Sequence, residues 1–361
     1  MSVSSILFQN DSKTVMLLDL PRSLEEAQVP SHRLTNVDPP KPRRLVSAQP
    51  PATPFPTPEP KRGISPPTAS ISAQVADLMT RAAAESAISE IKQSYNGSWF
   101  LPRLYSQDSH PDEPTSPAPP AVDAGVRDDS SLIIPDAACY LQGTISSQRT
   151  TFLSTAPSGF NLMLLDPPWP NRSAKRKRGG YHPVRDMDSV QSLLSLIPVA
   201  SHLAVDGLLA VWVTNSPSAT DVLTSPHNGL FAQWDVELVG EWMWLKVTTE
   251  GEPLFALDSS WRKPWERLLI ARKRGGLGGP SIANKVIIAV PDVHSRKPNL
   301  RHLFEDSGLL PEGYLALEVF ARNLTAGWWS WGEEVLLFQH RRHWLELPEG
   351  QVRRLRPKEK V

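Results

Sequence analysis

The sequence predicts an α/β fold in which helices cover both faces of a mostly parallel sheet. Beyond residue 131, short apolar runs alternate with segments of helical periodicity, a pattern typical of a parallel sheet between helical layers. Eleven of the twelve tryptophans lie at or beyond Trp169, whereas 19 of the 36 prolines fall in residues 1–130. Because proline-rich segments bury little apolar surface, the 361-residue chain is predicted to hold one folded domain behind a poorly folded leader.

The predicted domain contains seven strands and three helices. The strands are expected at residues 162–165, 208–214, 236–247, 267–272, 286–290, 314–320 and 335–339, and the helices at residues 188–197, 218–223 and 300–307. No Gly-x-Gly-x-x-Gly loop follows any of these strands, so a nicotinamide or ATP site of the usual form is not predicted.

The part of the chain before this domain is expected to be mostly disordered. Residues 1–70 are predicted to form a disordered, proline-rich leader, and residues 71–130 an accessory helix at 72–93 followed by a flexible connection. The globular domain is expected to span residues 131–345, with a basic tail at 346–361. Since the proline-rich part shows no periodic apolar face, we expect removal of the leader to leave the stability of the core unchanged.

Charge and cysteine content limit the classes of function. Lys+Arg and Asp+Glu are both 38, so a polyanion would be bound by local basic patches rather than by a general basic field. The single cysteine, Cys139, excludes an internal disulfide and a multi-cysteine zinc site, and it fits a reducing compartment. The histidines show no metal-ligand spacing, so no metal is predicted. No signal peptide and no membrane-spanning run is predicted either.

A predicted strand that ends in Asp166, Pro167, Pro168 and Trp169 is the candidate catalytic site. The two prolines prevent helix and ladder pairing, so the acid is expected at a strand tip, where open α/β sheets bind ligands. Methylation of an exocyclic amine suits these groups. Asp166 and the Pro167 carbonyl can accept the amine hydrogens, and Trp169 can stack on the base. The alternative is a turn that only stops a strand, and the Asp-Pro-Pro at residues 38–40 is interpreted as linker.

A cationic segment follows this turn. The predicted substrate-binding residues in it are Asn171, Lys175, Arg176, Lys177, Arg178 and Tyr181. Basic side chains beside a base pocket could hold a phosphate backbone. The alternative is a solvated loop or a nuclear-import signal, and the two uses are compatible. The predicted location is the nucleus, with the cytoplasm as a second location.

Two later segments contain candidate cofactor residues. His294, Arg296 and Lys297 precede a predicted helix, where they could receive the carboxylate of an amino-acid-like cofactor, although surface charge at a helix start is the alternative. The strand that ends in residues 318–323 is expected to point polar groups to the same edge. Glu333, further along the chain, could accept hydrogen bonds from a ribose diol.

Three motifs in this order resemble the MT-A-seventy family of S-adenosylmethionine-dependent N6-adenine methyltransferases. They are the Asp-Pro-Pro-Trp of residues 166–169, the His-Ser-Arg-Lys-Pro of residues 294–298 and the Glu-Val-Phe-Ala-Arg-Asn of residues 318–323. The Trp-Val-Thr-Asn of residues 212–215 and the Gly-Trp-Trp-Ser-Trp-Gly of residues 327–332 are most similar to the branch called methyltransferase-like protein four.

The resemblance implies a permuted Rossmann-like methyltransferase fold, in which the catalytic turn precedes the cofactor-binding strand. It implies S-adenosylmethionine as the cofactor and places the target adenine against Asp166, Pro167, Pro168 and Trp169. The cofactor-binding residues that it implies are Thr144, Ile145, Asp166, Lys297, Glu318, Arg322, Asn323 and Glu333. The family usually has Asn where Glu333 stands, but a glutamate can also accept hydrogen bonds from a ribose.

The hypothesis from the sequence is an N6-adenine methyltransferase acting on RNA. The branch resemblance favours an internal 2'-O-methyladenosine of a small nuclear RNA. A DNA N6-adenine methyltransferase is the alternative with the same chemistry, and a non-catalytic nucleic-acid-binding subunit is the alternative from another class. No membrane association and no obligate protein partner is expected.

Overall fold

A computed structural model describes residues 4–31, 43–56, 71–105, 132–170, 186–259, 262–276 and 281–346. The strands are β1 Ile6–Gln9, β2 Val15–Leu18, β3 Arg43–Ser47, β4 Leu104–Tyr105, β5 Cys139–Gln142, β6 Phe160–Leu165, β7 Leu203–Val213, β8 Val236–Lys246, β9 Trp265–Lys273, β10 Lys285–Ala289, β11 Ala316–Val319, β12 Trp329–Gly332 and β13 Trp344–Glu346. The helices are α1 Leu20–Ala27, α2 Ile71–Ser94, α3 Ile145–Thr155, α4 Met187–Ser195, α5 Val199–His202, α6 Pro217–Thr224, α7 Leu230–Gln233 and α8 Arg301–Asp306.

Ten of the strands form one sheet, in the order β1-β2-β10-β8-β9-β7-β6-β11-β12-β5. Six of its nine strand pairs are parallel, and the antiparallel pairs are β1 with β2, β8 with β9, and β7 with β9. The predicted mostly parallel sheet is therefore confirmed.

The direction of the strand order reverses between β6 and β11. From β6 the chain continues to its neighbour β7 on one side, whereas from β11 it continues to its neighbour β12 on the other side. β6 and β11 are parallel, and Leu165 lies opposite Val319 near their carboxyl ends. In open α/β sheets, ligands bind in the crevice at such a reversal. The strand that carries the Asp-Pro-Pro-Trp turn comes before β11 in the chain, as the permuted order requires.

Helices cover both faces of the sheet because successive side chains of a strand point to opposite sides. In β6, Leu162 and Leu164 lie in a core shared with α1 and α8, whereas Met163 and Leu165 lie in a core shared with α3, α4 and α6. All four side chains are at most 5% exposed. The central strand is therefore apolar on both faces, which explains why its sequence is a continuous apolar run.

The prediction of a disordered leader is wrong for residues 4–31. β2 lies inside the main sheet, parallel to β10, with Leu17 opposite Ile288. Met16, Leu17 and Leu18 are each at most 1% exposed, and α1 packs behind them in the same core as α8. The high proline content of the first third of the chain concealed a run of four apolar residues, which is enough for a buried strand.

Further parts of the predicted leader are also folded. β3 pairs with β13 and β4 in a second, three-stranded sheet. The accessory helix is confirmed as α2, whose second half packs on β2 and β10 through Ala84, Ala87, Ile88 and Ile91. The remainder of the predicted leader, connection and tail, at residues 1–3, 32–42, 57–70, 106–131 and 347–361, lies outside the described residues. Within the described part, no helix combines the length and apolar character that a membrane span requires.

The predicted strand at residues 335–339 is wrong. The segment forms successive turns, in which the Leu337 N–H donates to the Glu334 carbonyl at 2.8 Å and the Gln339 N–H to the Leu336 carbonyl at 3.0 Å. Its apolar side chains are buried although the segment does not pair with a strand of the described sheets. The sequence also failed to predict β5, α3 and β12. Three of the four residues of β5 are exposed and α3 buries only two, so neither shows a clear apolar period.

Candidate active site

Asp166 follows the last residue of β6 and lies at the reversal between β6 and β11. Its backbone N–H donates to the Val319 carbonyl at 3.2 Å, which ties the turn to β11. Trp169 is held at two points: its backbone N–H donates to the Pro167 carbonyl at 2.8 Å, and its indole Nε1–H donates to the Trp212 carbonyl at 2.7 Å. The turn is therefore fixed to both neighbouring strands, β11 and β7.

Lys297, in the loop between β10 and α8, joins Asp166 to a second carboxylate. Its Nζ lies 2.9 Å from Asp166 Oδ1 and 2.7 Å from Glu266 Oε2. The other oxygen of Glu266 accepts from Lys246 Nζ. Glu266 is the second residue of β9. Because β9 runs antiparallel to β7 and β8, its amino end meets their carboxyl ends.

On the other side of Asp166, Arg322 extends the same row of charges. Arg322 Nη1 lies 3.9 Å from Asp166 Oδ2, and its Nε donates to Glu334 Oε2 at 2.9 Å. Alternating charges therefore run along the carboxyl edge of the sheet, from Lys246 on β8 to Glu334 after β12. Each charge has an opposite charge beside it, which offsets the cost of partial burial.

These partners keep the half-buried Glu266 and Lys297 charged. Burial raises the pKa of Glu266, but the Lys297 and Lys246 ammonium groups outweigh it and hold that pKa well below its usual value. Burial lowers the pKa of Lys297, and the Asp166 and Glu266 carboxylates outweigh it in turn, so the pKa of Lys297 is raised. An ammonium has three N–H donors. Asp166 and Glu266 use two of them, and among the described residues no third acceptor is bonded to Lys297 Nζ.

The pKa of Glu318, in β11, is shifted in the direction opposite to that of Glu266. Burial, and to a smaller extent the charge of Asp166, raises the pKa of Glu318 to about 8. At neutral pH its carboxyl group is therefore mostly protonated and can donate a hydrogen bond. A cation bound beside it would favour the carboxylate form.

Glu318→Gln should remove a pH dependence from the free energy of unfolding. The pKa of Glu318 is about 8 in the folded protein against a reference of 4.5, so between these values the folded state binds more protons. The contribution of Glu318 to the free energy of unfolding is complete below pH 4.5, the reference pKa, and is lost as the pH rises through the folded pKa of about 8. Its slope is at most about 1.4 kcal/mol per pH unit. Denaturant unfolding of both proteins across this window measures the difference, and identical pH profiles would contradict the assignment.

The chain bends sharply after β11, and the end of β12 packs closely against the bend. Phe320 has a φ of 62°, and its N–H donates to the Trp331 carbonyl at 2.7 Å. A Cβ on Gly332 would lie 3.2 Å from the Ala321 carbonyl oxygen, so glycine permits this close approach. Glu333 follows directly and is exposed. An exposed carboxylate therefore stands beside the carboxyl end of β11.

The turn between β5 and α3 lies at the same edge. The Gly143 N–H donates to the Gly332 carbonyl at 3.1 Å. Thr144 is the N-cap of α3 and accepts from the Ser147 N–H at 3.0 Å. Ile145 is 2% exposed and packs in the core with α4. The structure thus places Thr144 near Glu333, whereas the Ile145 side chain contributes to packing.

The structure does not bring all the predicted site residues together. Arg296 is 2% exposed and pairs with Asp292 at 2.5 Å, away from Asp166, so its proposed contact with a cofactor carboxylate is wrong. Asn323 is buried in the segment after β11. The predicted substrate-binding residues Asn171, Lys175, Arg176, Lys177, Arg178 and Tyr181 lie outside the described residues.

Three charged residues of the site were not predicted as cofactor-binding or catalytic residues. Lys246 and Glu334 were assigned no role, and Glu266 belonged to a segment, residues 258–266, for which packing and contact with the rim of the substrate were the two interpretations. The signal for Lys246 was available, since a lysine at the carboxyl end of a buried strand points to the ligand edge. Glu266 could not be assigned, because its position depends on β9 being antiparallel.

Comparison with known proteins identifies the family of this chain. The MT-A70 family profile matches residues 160–334. Over 344 residues the chain is 49% identical to the N6-methyladenosine RNA methyltransferase MTA1 of Cryphonectria parasitica, covering 95% of this chain and 94% of that protein. The chain belongs to the MT-A70 family.

Two other relatives agree with this assignment. The N6-methyladenosine RNA methyltransferase MTA1 of Pyricularia oryzae is 45% identical over 368 residues, which cover 95% of this chain and 96% of that protein. The N(6)-adenine-specific methyltransferase METTL4 of Mus musculus is 34% identical over 232 residues, which cover 61% of this chain and 45% of that protein. The MT-A70 chain described here is an S-adenosylmethionine-dependent N6-adenine methyltransferase with a Rossmann-like fold.

The charged groups at the carboxyl edge suit S-adenosylmethionine. The remaining N–H donor of Lys297 can take a carboxylate, which is the anionic group of this cofactor. The exposed carboxylate of Glu333 can accept from the ribose hydroxyls. Glu318 would change from neutral to anionic if the cationic part of the cofactor were bound beside it. When bound, the cofactor supplies an electrophilic methyl group at this edge of the sheet.

Proposed function

We propose that this protein methylates the N6 atom of adenine in RNA. The observation that carries the proposal is the position of Asp166, which lies at the strand-order reversal between two cations, Lys297 and Arg322. RNA is favoured because the two fungal relatives, matched over nearly the whole chain, are both named as RNA methyltransferases. No observation of comparable weight favours DNA.

In this proposal, one group of residues binds the cofactor. Lys297 holds its carboxylate, Glu318 lies along its methionine part, and Glu333 accepts from its ribose. Arg322, fixed by Glu334 at 2.9 Å, keeps positive charge beside Asp166 and the same carboxylate. The other proposed contacts are Asp166, Thr144, the backbone of Ile145, and Asn323.

A second group of residues orients the adenine. The N6 lone pair is delocalised into the ring, so N6 becomes a better nucleophile when its hydrogens are held by acceptors. Asp166 supplies a carboxylate for this, and the Pro167 carbonyl has a second lone pair beyond the one bonded to the Trp169 N–H. Pro168 stiffens the turn, and Trp169 offers a ring on which the base can stack. Asn171, residues 175–178 and Tyr181 are proposed to contact the RNA backbone.

The finer substrate is proposed to be an internal 2'-O-methyladenosine of a small nuclear RNA. Support comes from the similarity of residues 212–215 and 327–332 to the methyltransferase-like protein four branch and from the identity with the mouse relative. A nuclear protein fits this substrate. The basic residues 175–178 also fit nuclear import.

Matched oligonucleotides test the substrate class. The purified protein and methyl-labelled S-adenosylmethionine are incubated with RNA, RNA carrying one 2'-O-methyladenosine, and DNA of the same sequence. Since the 2' position is what distinguishes RNA from DNA, we expect the 2'-O-methyl RNA to be labelled fastest and the DNA slowest, with differences of about tenfold or more.

Other outcomes of this experiment point to the alternatives. Faster labelling of DNA than of both RNAs would contradict the RNA proposal. Equal labelling of the two RNAs would contradict only the finer substrate. No labelling of any oligonucleotide, from protein that binds all three, would favour a non-catalytic nucleic-acid-binding subunit.

A further inference from the structure

The loop that carries Lys297 is held by buried charges rather than by secondary structure. It connects β10 to α8, and Ser295 within it has a φ of 71°, a conformation that costs a non-glycine residue energy. The loop therefore needs support from its surroundings to hold one conformation. Arg296, directly before Lys297, and Asp292, at the start of the loop, have side chains that are both 0% exposed.

These two residues are joined to the N-terminal part of the chain. Asp292 Oδ2 lies 2.5 Å from Arg296 Nη1, and Asp292 Oδ1 accepts from the Ala48 N–H at 2.7 Å. Arg296 Nη1 also donates to the Val46 carbonyl at 3.1 Å. Val46 belongs to β3 and Ala48 directly follows it, so both lie within the predicted disordered leader, residues 1–70.

Arg103, directly before β4, completes the cluster. Its side chain is 1% exposed, and its Nη1 lies 3.8 Å from Asp292 Oδ1. The same guanidinium donates to the Pro291 carbonyl at 2.8 Å and the Val290 carbonyl at 2.9 Å, at the point where the chain leaves β10. One arginine thus fixes both the backbone and the acid at the start of the Lys297 loop.

We propose that Arg103, Asp292 and Arg296 form a positioning brace for Lys297, so that the N-terminal part of the chain sets the affinity of the site for S-adenosylmethionine. The inference rests on the proposed cofactor contact of Lys297. Charged hydrogen bonds between buried groups have defined geometry, and a binding group must be held within a fraction of an ångström by the residues behind it. The three side chains are each at most 1% exposed, so they act through the position of Lys297 rather than by contact with a substrate.

Arg103→Lys tests the brace, because residue 103 is remote from Lys297 in sequence. Lysine keeps the charge but cannot reach two backbone carbonyls and Asp292 in the same planar arrangement. We expect the Kd for S-adenosylmethionine, measured by calorimetry without RNA, to rise about tenfold or more, because a displacement of about 1 Å can cost 100-fold. The Kd for RNA without cofactor should not change. Asp292→Asn, which keeps the side-chain size, should weaken cofactor binding in the same way.

Arg301→Lys is the matched control. Arg301 is another arginine at 2% exposure that donates to N-terminal carbonyls, those of Glu26 at 2.7 Å and Val29 at 2.9 Å, but it belongs to α8 rather than to the loop. Its replacement should lower the melting temperature and leave the cofactor Kd within about twofold. All measurements are made well below the melting temperatures of the variants.

The double variant Arg103→Lys, Lys297→Met distinguishes an effect through the position of Lys297 from a general loss of structure. If Arg103 acts through Lys297, then Arg103→Lys should weaken cofactor binding no further in a chain that already carries Lys297→Met. Independent, multiplying effects would overturn the proposal, as would wild-type cofactor affinity in both Arg103→Lys and Asp292→Asn. These experiments measure binding of S-adenosylmethionine without RNA. Their result therefore does not depend on whether the protein methylates RNA.

Discussion

Asp166→Asn should lower kcat for methyl transfer by about 100- to 1,000-fold, the usual effect of removing one preorganised polar group from an active site. Asparagine keeps the size of the side chain and one acceptor oxygen, but it lacks the charge that polarises the amine. Lys297 retains Glu266 at 2.7 Å, so the KM for S-adenosylmethionine should change much less than kcat. Steady-state kinetics with the preferred oligonucleotide measures both constants.

Glu241→Gln is the matched control for this change. Glu241 is also an ion-paired carboxylate on the main sheet, 2.9 Å from Arg267, but it has no contact with Asp166 or Lys297 among the described residues. Its replacement removes the same charge and should leave kcat near the wild-type value. Wild-type kcat in Asp166→Asn would show that the chemistry lies elsewhere.

Removal of residues 1–31 should prevent the chain from folding. The deletion takes away β1, β2 and α1, including five buried side chains, namely Met16, Leu17, Leu18, Leu20 and Leu24. At about 1.5–3 kcal/mol each, their burial is comparable with the total stability of about 5–15 kcal/mol of a typical domain. The strand β10 would also lose a parallel partner. Circular dichroism and thermal unfolding of the truncated chain give the result.

Point variants test how much the N-terminal segment contributes to stability without removing it. Leu17→Ala, at 0% exposure in β2, should lower the free energy of unfolding by about 2–5 kcal/mol. Leu238→Ala makes the same chemical change in β8 at 50% exposure and should cost at most about 0.5 kcal/mol. Equal effects of the two substitutions, or a truncated chain with the wild-type melting temperature, would show that the N-terminal segment does not belong to the core.

The sequence predicted the central strands well because their signals are local. β6, β7, β8 and β9 are long or strongly apolar, and the Asp-Pro-Pro-Trp turn marks the end of β6 within four residues. The N-terminal strands could not be found in this way. β2 is a four-residue strand whose partner β10 begins at Lys285, so its burial depends on a pairing across most of the chain. The proline content is an average over the first 130 residues, and a strand of four residues has little effect on it.

The candidate site was predicted in part, for a similar reason. Asp166, Lys297 and Arg322 were each identified from their own segments, and the structure places them side by side. Their connections were not predictable, because Asp166 and Lys297 are 131 residues apart. Glu266 lies in the site because β9 is antiparallel to its neighbours. The Arg296 side chain lies outside the site because it pairs with Asp292. Both outcomes depend on tertiary geometry.

Mass spectrometry of the nucleosides from methylated RNA tests the central claim most directly. RNA is incubated with the wild-type protein and S-adenosylmethionine, digested, and compared with RNA treated with Asp166→Asn. We expect N6-methylated adenosine as the product of the wild type and almost none from the variant, because Asp166 is proposed to hold the exocyclic amine. Methylation at another atom of the nucleoside, or equal N6 methylation by both proteins, would contradict it.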